Sequence, residues 1–321
     1  MPSLATFSPE KDIPDLSGKV IFVTGGNTGL GKSAITHMAA HNASQIFLSG
    51  RTASKCTEAI SDIKSQIPDA NITFVECDLT SLASVKKAAQ DFLAQSQRLD
   101  VLMLNAGIMA VPAAQTKDGY EIQFGTNHVG HALLTKLLLP TLKKTASEPN
   151  SDVRVVALSS MGLLISPTGG IVFDTLKTPQ ADIGTAGPWL RYGQSKLANV
   201  LYARSLAEHH PELLTASIHP GIVQTQLISS LPWYQRAFVR IGMLLTPTGS
   251  KSITPEEGSW NQTWAATAPR EQLLEGEGKG NGIFWEPVGQ VGQMTDNTKS
   301  KELADKLWEW TEKELEGWSL D

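Results

Sequence analysis

Short, almost uninterrupted apolar runs alternate along the chain with longer stretches in which apolar residues recur at helical spacing. KVIFVT (19–24), QIFLSG (45–50), NITFVEC (71–77), DVLMLN (100–105), VRVVALSS (153–160) and LTASIHP (214–220) have the length of strands and are rich in Val, Ile and Phe. They are too apolar for a sheet with one wet face, so they predict parallel strands covered on both sides. Between them, residues 30–42, 53–66, 81–97, 118–145 and 188–210 carry helical patterns. Thr80-Ser81 marks a helix start after the third strand, and Pro140 admits only a kink or a late turn in the fourth helix. Alternation repeated this often predicts an α/β fold built on a doubly wound parallel sheet.

Beyond residue 225 the alternation stops. Residues 226–250, QLISSLPWYQRAFVRIGMLLTPTGS, are apolar and aromatic but broken by Pro232, Pro247 and Gly249. A helix from about 255, a short strand in GNGIFWE (280–286) and a tryptophan-bearing helix over 299–317 follow. No internal repeat or linker interrupts the pattern. Residues 17–321 therefore read as one domain with a C-terminal elaboration, preceded by an N-terminal extension over 1–16.

Composition narrows the class. Hydrophobic residues at 41% and charged residues at 18% of 321 describe a globular chain with a sizeable core. A net charge of −5 gives no electrostatic footprint for nucleic acid or an anionic membrane. Cys56 and Cys77, without a CxxC motif, suggest free thiols in a reducing compartment. The first residues lack the pattern of a secretory signal, and no apolar run is long enough to span a bilayer, so a cytoplasmic location is expected.

The stretch GGNTGLGKS (25–33) follows the first strand and opens the first long helix, where backbone N–H groups and the helix dipole receive phosphate. From Gly26 it fits the phosphate loop of a nucleoside triphosphatase, ending in Gly31-Lys32-Ser33. From Gly25 it fits a dinucleotide turn, with Gly29 and Gly31 as the later glycines. A triphosphatase also needs a magnesium-binding carboxylate, for which only Asp78 is well placed. A dinucleotide site needs a discriminating residue after the second strand, and LSGRT supplies Arg51, a guanidinium suited to a 2′-phosphate. Lys32 and Lys55 would add positive charge nearby.

Hydride transfer to a carbonyl requires a proton donor, and a tyrosine serves when a nearby cation stabilises its phenolate. Of Tyr120, Tyr192, Tyr202 and Tyr234, only Tyr192 has a lysine four residues on, Lys196. TGGNTGLG (24–31), CDLT (77–80), NAG (105–107), Asn127 in TNHVGH, SS (159–160), YGQSK (192–196) and HPGIVQT (219–225) occur in that order. This ordered set resembles the short-chain dehydrogenase/reductase family, in particular its retinol-dehydrogenase-like members and their fungal relatives, over about residues 17–225.

The resemblance implies a Rossmann fold that binds NADP. Tyr192 would be the general acid/base, Lys196 would lower its pKa and bind the nicotinamide ribose, and Ser160 would hold the substrate oxygen. Ser159 is the neighbour that strand alternation must turn elsewhere. Asn127 would hold a water that extends the proton path from Lys196. Around the cofactor, Gly25, Asn27, Thr28, Gly29, Leu30, Gly31 and Lys32 would form the phosphate turn, and Arg51 would read the 2′-phosphate. Asp78 and Leu79 would flank the adenine, Asn105-Ala106-Gly107 the ribose, and Pro220, Gly221, Val223 and Thr225 the nicotinamide and pyrophosphate. The interval from Ser160 to Tyr192 is longer than in compact family members and reads as a loop beside the site.

His37/His41 and His128/His131 have helical spacing but no further ligands, so no metal is expected. Trp308, Trp310 and Trp318 read as core or interface anchors. Segment 226–250 fits a substrate lid, a self-association surface or an interfacial membrane helix, and its place after HPGIVQT favours the lid. Its apolar side chains suggest a bulky, hydrophobic or aromatic, polyketide-like carbonyl substrate, of the kind met in secondary metabolism. The expected activity is NADP-dependent carbonyl reduction. An NADP-binding regulatory protein and the triphosphatase are the alternatives, and a homodimer is left open.

Overall fold

A computed structural model describes residues 7–223 and 253–320. The six apolar runs become β1 (Val20–Thr24), β2 (Gln45–Gly50), β3 (Ile72–Glu76), β4 (Val101–Leu104), β5 (Arg154–Leu158) and β6 (Leu214–Ile218). Two short strands, β7 (Phe284–Glu286) and β8 (Gln290–Val291), complete one sheet of order β3-β2-β1-β4-β5-β6-β7-β8. Every pairing is parallel except β7 with β8. The strand order reverses between β1 and β4, and a sheet of this type opens its ligand crevice beyond the carboxyl ends of such strands.

Both faces are covered, as the apolar strands require. On one side Phe22, Phe47 and Phe92 pack edge-on or stacked within a core that runs through the helices to Leu307 and Leu315. On the other, Ile21, Val23 and Leu48 pack with Ile35, Met38, Trp264 and Trp285. Phe7, Ile13 and Leu16 join that second core, so the described part of the N-terminal extension, with α1 (Pro9–Asp12), is packed against the domain.

The covering helices are α2 (Gly29–Ala40), α3 (Ala53–Gln66), α4 (Leu82–Leu93), α5 (Ile122–Phe124), α6 (Gly130–Ala146) and α7 (Gly187–His209). Ser81 caps α4 through its hydroxyl, as the sequence predicts. The fourth predicted helix departs from expectation. Residues 115–121 form a turn closed by the Gln115–Glu121 bridge, and the helix begins only at Ile122, where Glu121 Oε2 accepts from Phe124 N at 2.6 Å. A π-helical turn, Gly125–Val129, then joins α5 to α6. Pro140 lies inside α6 on its exposed side, and the helix continues through it.

After Ile253 come α8 (Pro255–Thr267), α9 (Arg270–Leu274), α10 (Asp296–Lys299) and α11 (Lys301–Glu314). Helix α11 lies on α7: Trp308 stacks on His209 at 4.3 Å and on Tyr202 at 5.5 Å between ring centroids. Trp310 meets Tyr120, Phe124 and Phe173. Among the described residues no helix is long and apolar enough to cross a membrane.

Candidate active site

The turn between β1 and α2 is built around glycines with little room for anything larger. Gly25 and Gly29 have φ of +64° and +53°, a region other L-residues rarely adopt. A Cβ on Gly31 would lie 2.4 Å from the Gly25 carbonyl oxygen and 2.5 Å from Asn105 Nδ2. Asn105 Nδ2 donates to the carbonyls of Thr24 (2.8 Å) and Gly25 (3.2 Å), so the end of β4 holds the turn after β1. Thr28 gives α2 no side-chain cap, which leaves its first-turn N–H groups available to an anion. These features fit a dinucleotide pyrophosphate. Asn27, Thr28 and Leu30 are half-buried along the same turn.

Arg51 follows β2, is exposed, and has no ion-pair partner among the described residues; Lys55 is exposed one turn on. Lys32 instead pairs with Asp62 at 2.6 Å, so its charge is directed to α3. Beyond β3, Asp78 accepts from Thr80 N and Oγ1 and from Lys117 Nζ at 2.8–3.1 Å. Leu79 is buried against Gly130 at the start of α6.

Helix α7 and the end of β5 bring the other set together. Tyr192 and Lys196, one turn apart, are 7% and 5% exposed. Tyr192 and Ser160 adjoin at Gly162, where a Cβ would lie 2.6 Å from Tyr192 Cε1 and 3.4 Å from Ser160 Oγ. Ser160 Oγ accepts from Gly162 N at 3.0 Å, which fixes its rotamer. Ser159 Oγ points the other way and donates to the Lys196 carbonyl at 2.7 Å, so alternation after β5 assigns Ser160 to the crevice. Lys196 Nζ donates to the Leu158 carbonyl at 2.9 Å and lies 5.8 Å from the Tyr192 ring centroid.

Asn127 is fully buried in the π-helical turn. Its Oδ1 accepts from Ile108 N at 2.8 Å, while Nδ2 donates to the Ile108 carbonyl and to Ser195 Oγ, each at 2.9 Å. Between these elements, a Cβ on Gly107 would lie 3.2 Å from Asn127 Oδ1 and 3.4 Å from Lys196 Nζ. A side chain there would close the gap between β4 and the lysine.

Burial governs the titration of the pair. It pushes the Tyr192 phenol up to about 12, against a smaller lowering effect of Ser160, and lowers Lys196 to about 8. The Lys196 ammonium is aimed at the Leu158 carbonyl, and desolvation dominates the phenol. After β6, Pro220 and Gly221 are half-buried and Val223 is buried, pairing with Ile253. Thr225 and segment 226–250 lie outside the described residues.

Several supporting residues carry no signal in a local motif. Thr24 Oγ1 accepts from Ala106 N at 3.0 Å and meets His131 Nε2 at 2.9 Å, while His131 Nδ1 donates to the Asn127 carbonyl at 3.0 Å. That buried histidine ties the two halves of the site; its i+4 spacing from Asn127 is the one clue the sequence holds. Gln262 of α8 donates to the Leu30 carbonyl and to Asn105 Oδ1, both at 3.2 Å, and braces the glycine turn from the C-terminal elaboration. Among the described residues no three His, Cys, Asp or Glu side chains gather as a metal site.

Residues 19–177 match the family model for short chain dehydrogenases. A short-chain dehydrogenase/reductase of Aspergillus calidoustus is 35% identical over 94% of this chain and 95% of its own length. Human polyprenol dehydrogenase is 34% identical over 93% of this chain and 86% of its own. A solved protein from Mycobacterium paratuberculosis superimposes with a TM-score of 0.70 at 28% identity, covering 96% of this chain and 97% of that one. The sheet order agrees with these likenesses, and the chain belongs to the short-chain dehydrogenase/reductase family of oxidoreductases.

Proposed function

We propose that this oxidoreductase is NADP-dependent and interconverts a bulky, apolar ketone or aldehyde and its alcohol, with reduction the favoured direction. The observation that carries this reading is the placement of Ser160 beside Tyr192, with Lys196 buried one helical turn away, at the carboxyl end of the sheet. NADPH would supply the hydride. Ser160 Oγ and the Tyr192 hydroxyl would both donate to the carbonyl oxygen, an arrangement that stabilises the charge developing there. Tyr192 would then release its proton to the alkoxide, leaving a phenolate. Lys196 would offset that charge as an ammonium and return a proton, with Asn127 positioned by Ile108 and Ser195 at the entry of the path.

The glycine turn, Ala106-Gly107 and the open N-terminus of α2 would hold the pyrophosphate and sugars. Arg51, exposed and without an acidic partner among the described residues, supports recognition of a 2′-phosphate. Apolar side chains border the site. Leu164, in the 3₁₀ turn Met161–Ile165 after Ser160, is 47% exposed, and Trp189 stands edge-on to Tyr192 at 6.4 Å. The name of the human relative denotes a long apolar alcohol, and the same broad class suits this border. A regulatory protein that binds NADP without turnover would have no use for Ser160, Tyr192 and Lys196 together.

Binding and turnover test the reading separately. The chain is expected to bind NADPH more tightly than NADH, and Arg51→Ala to narrow that gap by roughly tenfold or more, as loss of a charge-assisted contact implies. Equal binding of the two cofactors by the wild-type chain would refute the role of Arg51. Against ketones, aldehydes and quinones followed by NADPH absorbance, Tyr192→Phe is expected to lower kcat by ~10²–10⁴, the usual worth of a general acid. Full turnover in that variant would remove the catalytic assignment.

A further inference from the structure

Next to Tyr192 lies a buried ion pair that the chemistry above does not use. The Arg191 and Glu121 side chains are 3% and 0% exposed, with Nε and Oε1 3.4 Å apart. Neither of those two atoms has a hydrogen-bond partner. Burial pushes the Glu121 carboxyl up to about 7 and lowers the Arg191 guanidinium. A buried pair with so loose a contact is a poor source of stability, because its attraction barely offsets desolvation. What the two side chains hold explains them better.

Arg191 Nη1 donates to the Gln180 carbonyl at 3.0 Å, and Nη2 donates to the Val111 carbonyl at 3.2 Å. The first carbonyl belongs to the long connection between Ser160 and Tyr192; the second belongs to the segment that follows Asn105-Ala106-Gly107. Glu121 Oε2 accepts from Phe124 N at 2.6 Å, starting the helix whose next turn carries Asn127. Glu121 N donates to the Leu176 carbonyl at 2.7 Å, tying that helix start to the same connection. Gln180 has a φ of +49°, bonds Thr175 Oγ1 at 2.8 Å, and accepts from Gln194 on α7. Four segments that border the site therefore converge on one guanidinium–carboxylate pair.

We propose that Arg191 and Glu121 are positioning residues that set where Tyr192 stands relative to Ser160 and Asn127. Arg191 is covalently next to Tyr192 and fixes the start of α7 against two backbone carbonyls. Glu121 holds the guanidinium in that place and caps the turn leading to Asn127. The proposal rests on the reading of Tyr192 as proton donor.

Two variants separate positioning from stability. Glu121→Leu combined with Arg191→Met removes both charges and leaves no unpaired ion in the core, so its unfolding midpoint should fall only by what the freed Gln180 and Val111 carbonyls and Phe124 N–H cost, and the chain should stay folded. Arg191→Lys keeps the charge but cannot reach both carbonyls with one ammonium. Displacing a catalytic group by ~1 Å can slow turnover by ~10²-fold, so both variants should lose kcat by roughly tenfold or more. KM and the NADPH dissociation constant should stay within about threefold of the wild type. Wild-type kcat in either folded variant overturns the proposal, and so does a loss expressed in NADPH affinity instead of kcat. If the double variant does not fold, Arg191→Lys decides by the same criteria. Tyr192→Phe in parallel keeps the two readings apart: full turnover there removes the proton donor itself, whereas loss there with active pair variants removes only the clamp.

Discussion

Lys196 shows at the scale of one side chain how the site trades stability for chemistry. Buried and bonded to a single carbonyl, it has its pKa lowered to about 8 from 10.5. Between pH 8 and 10.5 the unfolded chain binds the proton more strongly than the folded one. This residue therefore opposes folding most fully below pH 8, and its contribution improves as pH rises across that window. Tyr192 acts above it: with its phenol raised from 10.0 to about 12, stability falls as pH rises through that interval. Lys196→Met should accordingly stabilise the chain at pH 7, by up to roughly 3 kcal/mol, while abolishing turnover. Urea unfolding at pH 7 and pH 10 checks this, and the gain should shrink at the higher pH. Equal stability of the two chains at pH 7 would mean that the lysine is better solvated than its burial implies.

Among elements, the contact between α7 and the turn Met161–Ile165 matters most, because it sets Tyr192 against Ser160. The two approach closely: a Cβ on Gly193 would lie 2.7 Å from the backbone N of Ser166, and one on Gly162 would lie 2.6 Å from Cε1 of the Tyr192 ring. Gly162→Ala must therefore push the tyrosine ring or the turn aside. Turnover is expected to drop by roughly tenfold or more while NADPH affinity holds, since the glycine turn is remote from this contact. Steady-state kinetics beside cofactor titration reads the difference. Helix α11 supports the opposite side of the same assembly. Trp310 packs on Phe124 at the start of the turn carrying Asn127, and His128 within that turn meets Thr311 of α11 at 2.9 Å. The C-terminal helix thus reaches the turn carrying Asn127 through packing.

Over the whole molecule, acid should be the weak point. Burial holds His128 near 3 and His131 and His219 near 4, all neutral in the fold and well below the 6.5 of an exposed imidazole. As pH falls from 6.5 towards 4 the unfolded chain takes up protons that the folded chain refuses. Stability is then lost at up to about 1.4 kcal/mol per pH unit for each histidine. Urea midpoints between pH 7 and 4.5 should fall accordingly, and His128→Gln should flatten the slope; an unchanged slope would place the acid sensitivity elsewhere. The sequence by itself determined the six long strands, the covering helices, the glycine turn, Arg51 and the Tyr192–Lys196 spacing. Each is encoded within one period of a strand or helix, or within one loop, so neighbouring residues suffice to specify it. Only the tertiary structure decided the rest. It turned Ser160 rather than Ser159 to the crevice, started the fourth long helix at Ile122 with a π-helical turn under Asn127, and sent Lys32 to Asp62. It also set Gln262 against Asn105, 157 residues away in sequence, and paired Glu121 with Arg191. Such contacts depend on how separate segments pack, and no local pattern of apolar and polar residues records which distant partner each buried polar group will meet.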